Sequence, residues 1–159
     1  MVLYHFTEKP FSLKDKKKYQ VINGINKPSG LWLSDENDYG WSQWCQDNDF
    51  RLKGLKYKTT IKVDTSNVFV IQSVEELKEF NSKYGIKKGN FKKDPYFLLE
   101  DYFINWDLLK NTHKGIIITP YLHQVRLEYM WYYGWDCASG CIWDTSCCEI
   151  ITQSKTMGE

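Results

Sequence analysis

The chain has 159 residues, 42% of them hydrophobic, and a formal net charge of +1 from 21 basic and 20 acidic side chains. That length and apolar content build one core without metals or bridges, so a single domain over residues 1–159 is expected. Near-neutral charge excludes the global electrostatic footprint of a non-specific nucleic-acid binder, and no apolar run approaches the roughly 18 residues that a membrane-spanning helix needs.

In chain order, the first expected strand runs from Leu3 to Phe6 and ends at Lys9-Pro10, followed by a lysine-rich loop or short helix to Lys18. A second strand is read over Tyr19 to Ile22. Asn23-Gly24 and Lys27-Pro28-Ser29-Gly30 are turn signals ahead of a third strand, Leu31 to Leu33. Past Ser34 the spacing turns helical, with Trp41, Trp44 and Cys45 at i, i+3 and i+4 behind a cluster of Asp and Glu. From Lys56 to Val63 the pattern alternates, placing Tyr57, Thr59, Ile61 and Val63 on one buried face. Asp64 to Asn67 turns the chain into the apolar run Val68 to Ile71. Ser73-Val74-Glu75-Glu76 reads as a capping box for a helix with Val74, Leu77, Phe80 and Tyr84 inward, stopped at Gly85.

An exposed basic loop is expected from Lys87 to Asp94, then a helix from Pro95 to Thr112 with Leu98, Ile104, Leu108 and Leu109 as its apolar side. Ile116 to Ile118 form a short buried strand stopped by Pro120. A dense aromatic segment, Leu127 to Trp135, leads to a strand from Gly140 to Trp143, with a further one through Ile150 and Ile151. Strands interspersed with helices, without a GxGxxG or GxxxxGK after any strand, predict an α+β domain rather than a doubly wound sheet.

Five cysteines, two of them adjacent, are an odd number with no pair of CxxC knuckles to hold zinc. Reduced thiols in a cytoplasm and no metal site are therefore expected. The opening residues carry no basic leader and no apolar h-region, so no secretion signal is read there. Seven Trp, eleven Tyr and eight Phe exceed what a core of this size requires, so some should line a cleft for a planar ligand. Lysines concentrate in 14–18, 53–62 and 87–93, which makes a local basic face conceivable although the net charge does not indicate nucleic-acid binding.

Three distant segments each set a polar or aromatic handle inside an apolar stretch: Tyr4-His5-Phe6-Thr7, Gly30-Leu31-Trp32-Leu33-Ser34, and Trp135-Asp136 through Ala138-Ser139-Gly140-Cys141-Ile142-Trp143-Asp144. Together they resemble the scattered signature of ADP-ribosyltransferases of the His-aromatic-acid type. The resemblance implies a split antiparallel β-sheet with flanking helices, and NAD as substrate. It implies that His5 and Thr7 face the ribose and carbonyl region, and that Gly30, Trp32 and Ser34 form the second motif, with Trp32 where those enzymes usually have Tyr. The family's glutamate slot falls on Ala138 or Ser139, so Asp136 is the substitute acid. Asp136 and His5 are thus the candidate catalytic residues, with Trp41, Arg126 and Ser139 as further nucleotide contacts.

The chemistry asks for this set. Cleaving the nicotinamide–ribose bond develops positive charge on the sugar, which a carboxylate stabilises while His and Ser orient the ribose. A Trp face over the cationic nicotinamide adds about 0.5–2 kcal/mol. The leading expectation is a cytoplasmic transferase, of a kind that fits a phage, toxin or defence context, passing ADP-ribose to a protein or nucleic-acid acceptor. A non-catalytic binder of NAD-derived or ADP-ribose-containing nucleotides is the alternative that the missing Glu motivates, and an aromatic-rich interaction domain without a nucleotide site is the third.

Overall fold

The alternation read from Lys56 to Val63 becomes strand β3 (Tyr57–Val63), with Thr59, Ile61 and Val63 buried and Lys62 exposed. It lies inside a seven-stranded sheet together with β1 (Val2–Thr7), β2 (Leu31–Ser34), β4 (Phe69–Ile71), β7 (Gly115–Ile118), β8 (Ser139–Ile142) and β9 (Cys148–Lys155), in the order β4-β7-β8-β2-β1-β3-β9. Only β4 and β7 run parallel; the other pairs are antiparallel. The structure is a computed structural model that describes residues 1–14, 19, 27–87 and 102–156. The expected strand beyond Tyr19, the Asn23-Gly24 turn and the basic loop at 88–94 lie outside the described residues. The fold is a mixed α+β domain with a mostly antiparallel sheet, as the sequence predicts.

β7 is buried along its whole length, which is why Ile116, Ile117 and Ile118 form an unbroken apolar run rather than an alternating one. Its neighbour β8 approaches so closely that a Cβ on Gly140 would sit 2.6 Å from Ile117 Cγ1 and 2.9 Å from Ile116 O. The two faces of the sheet have different chemistry. One packs Leu3, Leu31, Leu33, Ile61, Val63 and Ile142 in an aliphatic cluster. The other packs the helices α2 (Val74–Tyr84), α3 (Trp106–Lys110) and α4 (Met130–Tyr133) around Trp106, Trp131, Trp135 and Trp143.

Ser73 caps α2 by accepting from Glu76 N–H, while Glu76 turns back to accept from Gln72 N–H, one residue earlier than an ideal capping box. Leu77, Phe80 and Tyr84 face the core as their spacing requires. The expected helix over Pro95 to Thr112 is corrected within the described residues. Tyr102–Ile104 is strand β6, paired antiparallel with β5 (Gly85–Lys87), and Asn105 then caps the short α3 through Leu108 N–H. A run of two aromatics and a β-branched residue favours a strand when a partner edge is available, and Asn105 favours a cap over a helix interior. Leu108, expected inward, is 47% exposed.

The junction of β1 with β2 positions the site. These neighbouring strands share a single residue pair, Tyr4 with Ser34, whereas β1 and β3 share six. The β1–β2 ladder is therefore confined to Tyr4 and Ser34, and next to that pair the His5 side chain rather than a ladder partner reaches the Trp32 carbonyl.

Candidate functional site

A ladder this short leaves backbone groups that must find other partners. The carbonyl oxygen of Trp32 finds the His5 imidazole, with Nδ1 at 2.8 Å. A carbonyl oxygen only accepts, so Nδ1 carries the proton and the neutral ring presents Nε2 as a lone pair. Burial holds His5 below the ordinary histidine value of 6.5, against a smaller upward pull from the Trp32 carbonyl, and so favours the neutral form near pH 7. Phe11 packs edge-on against the ring with centroids 4.5 Å apart, fixing its orientation.

His5 lines a cavity of about 350 Å³ with Tyr4, Trp32, Ser34, Trp41, Asp136 and Ser139, and also with Lys27, Arg51 and Trp135. That volume falls within the range of about 300–1,000 Å³ common for small-molecule sites. Six of the nine residues singled out from the sequence, His5 included, thus converge on one cavity from four separate parts of the chain. Trp32 stands edge-on to Trp135, centroids 4.9 Å apart, and the Lys27 ammonium lies 5.3 Å from its ring centroid. Trp41 stacks on Trp44 at 5.1 Å, and Phe50 packs edge-on against both.

Asp136 is held between two cations, Arg126 Nη2 at 3.6 Å from Oδ1 and Lys27 Nζ at 3.9 Å from Oδ2. Arg126 does not line the cavity. Its guanidinium lies 5.2 Å from the Tyr133 ring centroid and its charge reaches the site through Asp136. Ser34 is engaged by structure on both sides: its hydroxyl donates to Glu36 Oε1 and accepts from the Trp41 N–H at 2.7 Å. Glu36 also accepts from the hydroxyl and N–H of Ser42, so Ser34 and Glu36 together hold the start of helix α1 (Trp41–Asp47) against β2. Ser34 thus accepts from the first amide of the helix out of a neighbouring strand, while the residue at the N-cap itself is Gly40, whose position carries no side-chain cap.

Ser139 pairs with Ser34 across β2 and β8, and its hydroxyl donates to Cys137 O at 3.0 Å. Besides Arg126, two more of the expected contacts lie away from the cavity. Thr7 donates to Lys9 O at the far end of β1. Gly30 is explained by packing, since a Cβ there would meet Ile142 O at 2.6 Å and Cys141 Sγ at 2.7 Å. Burial favours the neutral thiol at Cys137 and Cys141, pushing Cys137 up to about 12 and Cys141 higher still.

Sequence reasoning missed Lys27, Arg51 and Trp135 as lining residues. Lys27 was visible only as part of a turn. Arg51 enters the cavity from a left-handed backbone, with φ 48° and ψ 36°, which no local pattern announces. Trp135, 1% exposed, buries an indole Nε1 that finds no hydrogen-bond partner among the described residues. The Arg126 Nε and the Tyr121 hydroxyl are likewise buried without partners. Orphaned donors of this kind each cost about 1–3 kcal/mol; of the three, Trp135 lines the cavity and Arg126 adjoins it through Asp136. Among the described residues, no group of His, Cys, Asp and Glu is placed to hold a metal ion, and no helix is long and apolar enough to cross a membrane. Comparison of the chain with protein-family models, curated proteins and solved structures finds no match in any of the three.

Proposed function

We propose that the cavity at the β1–β2 junction binds the nicotinamide riboside end of NAD, and that the protein transfers ADP-ribose from it to a macromolecular acceptor. The observation that carries this reading is the convergence of His5, Trp32 and Asp136, remote in sequence, on one cavity of about 350 Å³. Each has the state the chemistry needs. The His5 Nε2 lone pair accepts from a ribose hydroxyl, because Nδ1 is occupied by the Trp32 carbonyl. Trp32 offers a π-face to the cationic nicotinamide ring, where the Lys27 ammonium now lies, an arrangement worth about 0.5–2 kcal/mol.

The Asp136 carboxylate stabilises the positive charge that develops on the sugar as the C1′–N bond lengthens. The bonding pair leaves with the nicotinamide nitrogen, which becomes neutral. An acceptor oxygen or nitrogen forms the new bond to C1′ and loses its proton to water or to Asp136. Arg126 and Lys27 orient the carboxylate, and Arg51 at the rim pairs with the pyrophosphate. A left-handed backbone at Arg51 costs about 1–2 kcal/mol, a strain of the kind that collects at ligand clamps.

One observation favours a second reading. Asp136 already faces two cations, at 3.6 and 3.9 Å, which diminishes the field it offers to a developing sugar cation. A pocket built that way binds the nucleotide without cleaving it, and the protein is then a non-catalytic binder of NAD or ADP-ribose. Purified protein incubated with NAD labelled in the adenylate half and with cell lysate, next to the His5→Ala variant, separates the readings. Nicotinamide release and label transfer, both lost in the variant, support the transferase. Nucleotide retention without release supports the binder. Absence of both release and retention overturns the nucleotide site.

A further inference from the structure

A second concavity of about 880 Å³ adjoins the cavity and is far richer in lysine. Four lysines line it: Lys53 from the 3-10 turn Leu52–Leu55, Lys56 at its end, Lys58 from β3 and Lys155 from the end of β9. None of the four is ion-paired among the described residues, and the one acidic side chain on the lining is Glu8, which is exposed. Lys58 instead lies over the Tyr4 ring, 4.0 Å from its centroid. In a chain whose net charge is only +1, four unpaired cations on one concave surface are a local concentration rather than a reflection of composition.

This groove and the cavity share a wall. Phe6 lines both, Trp41 and Ser42 face opposite sides of it, and so do Arg51 and Leu52. Trp41, on the cavity side of that wall, stacks on Trp44 at an interplanar angle of 11° and meets Phe50 edge-on; Trp44 and the 42% exposed Phe50 line neither concavity but continue from it as an aromatic group. Partly exposed aromatics one wall away from a lysine-lined channel fit a strand that crosses from one to the other and alternates negative charge with planar rings. An acidic peptide would use the lysines and leave the rings unused, and a base-paired duplex would keep its rings stacked on one another.

We infer that the groove of Lys53, Lys56, Lys58 and Lys155 binds single-stranded nucleic acid, with bases stacking on the Trp41, Trp44 and Phe50 edge. Its use as the acceptor, presented end-on to the cavity, rests on the transferase reading; the binding itself does not. Backbone phosphates pair with the lysines, and base–aromatic stacking is sequence-tolerant, so the groove takes strands with little preference for base.

Fluorescence anisotropy with labelled oligothymidylate and oligouridylate of about 15 nucleotides, in the absence of NAD, tests this directly. Saturable binding is expected, falling with salt at a logarithmic slope of about −2 to −3 for four released counterions. The triple variant Lys53→Glu, Lys56→Glu, Lys155→Glu changes exposed positions and is expected to weaken binding at least about tenfold; the milder Lys53→Ala, Lys155→Ala pair weakens it in the same direction by less. Circular dichroism checks that both variants fold. Any of four results overturns the inference: no saturable binding at low salt, unchanged affinity in both variants, equal competition by polyglutamate, or equal affinity for a duplex. NAD-dependent melting shifts on the same samples report on the cavity independently, so a failure of the nucleotide site and a failure of the groove read differently.

Discussion

The cavity at the β1–β2 junction and the lysine groove beside it are separated by one wall, yet their side chains are in opposite conditions. In the cavity most polar groups already have partners: His5 Nδ1 with a carbonyl, Ser34 with Glu36 and Trp41, Ser139 with Cys137 O, and Asp136 with two cations. In the groove four ammonium groups have no carboxylate partner among the described residues, although Lys58 lies over the Tyr4 ring. The difference follows from burial. A half-buried polar group without a partner is expensive, so the cavity is pre-organised by bonds within the protein, whereas solvated lysines stay free at little cost. A pre-organised cavity suits an orienting site and a free cationic surface suits a long, variable ligand.

The largest expected effect that breaks this comparison is at Asp136. Asp136→Asn keeps the shape and removes the charge, and nicotinamide release should fall by about 10²–10³ while the NAD-dependent rise in melting temperature persists. Equal loss of both would make Asp136 a structural partner of Arg126 and Lys27 instead. Trp32→Ala is next. It removes the ring face over which Lys27 lies, and NAD affinity should drop about 2- to 30-fold, the equivalent of 0.5–2 kcal/mol, in a fluorescence titration. Oligonucleotide affinity measured beside it should hold, since Trp32 does not line the groove.

Ser34→Ala sharpens the contrast from the structural side. Losing the acceptor for Trp41 N–H and the donor to Glu36 should cost about 0.5–2 kcal/mol in urea unfolding, the scale of a lost helix cap. A smaller effect comes from pH. His5 in the folded protein lies below 6.5, chiefly through burial, and His113 does too, through burial and the nearby Lys83 charge, while both keep 6.5 in the unfolded chain. Below pH 6.5 the unfolded state therefore binds protons that the folded state refuses, so the contribution of these two histidines to stability falls on acidification from 6.5 through their folded-state values. His5→Gln should reduce that slope in a series of thermal melts, and an unchanged slope would assign it to His113 alone.

Much of the fold was legible because burial on one face leaves a periodic trace. Thr59, Ile61 and Val63 in β3, the Leu77, Phe80 and Tyr84 spacing in α2 and the unbroken Ile116 to Ile118 run in β7 are each direct consequences of which side meets the core. The stretch Tyr102–Ile104 was misread as helix because its strand character depends on pairing with Gly85–Lys87, a partner that no local pattern reveals. In the site, His5, Trp32 and Asp136 stood out as polar or aromatic handles inside apolar runs. Lys27, Arg51 and Trp135 did not, since a lysine beside a turn, an arginine in a loop and one tryptophan among seven look ordinary until the chain folds.

The sequence by itself determined the α+β class, the strands that carry His5 and Trp32, the cap at Ser73 and the absence of a zinc-knuckle pattern, because these depend on residue type and short-range spacing. Only the tertiary structure decided that β1 and β2 touch at a single pair, that the His5 side chain reaches the Trp32 carbonyl beside it, that Asp136 stands between Arg126 and Lys27, and that lysines from β3, its preceding turn and β9 line one groove. Most of those features join residues far apart in the chain: His5 and Trp32 by 27 positions, and Lys27 and Asp136 by 109. Their geometry is set by how far neighbouring strands pair and which side chains then satisfy the freed backbone, a balance of packing and hydrogen bonding that exists only once the sheet has formed.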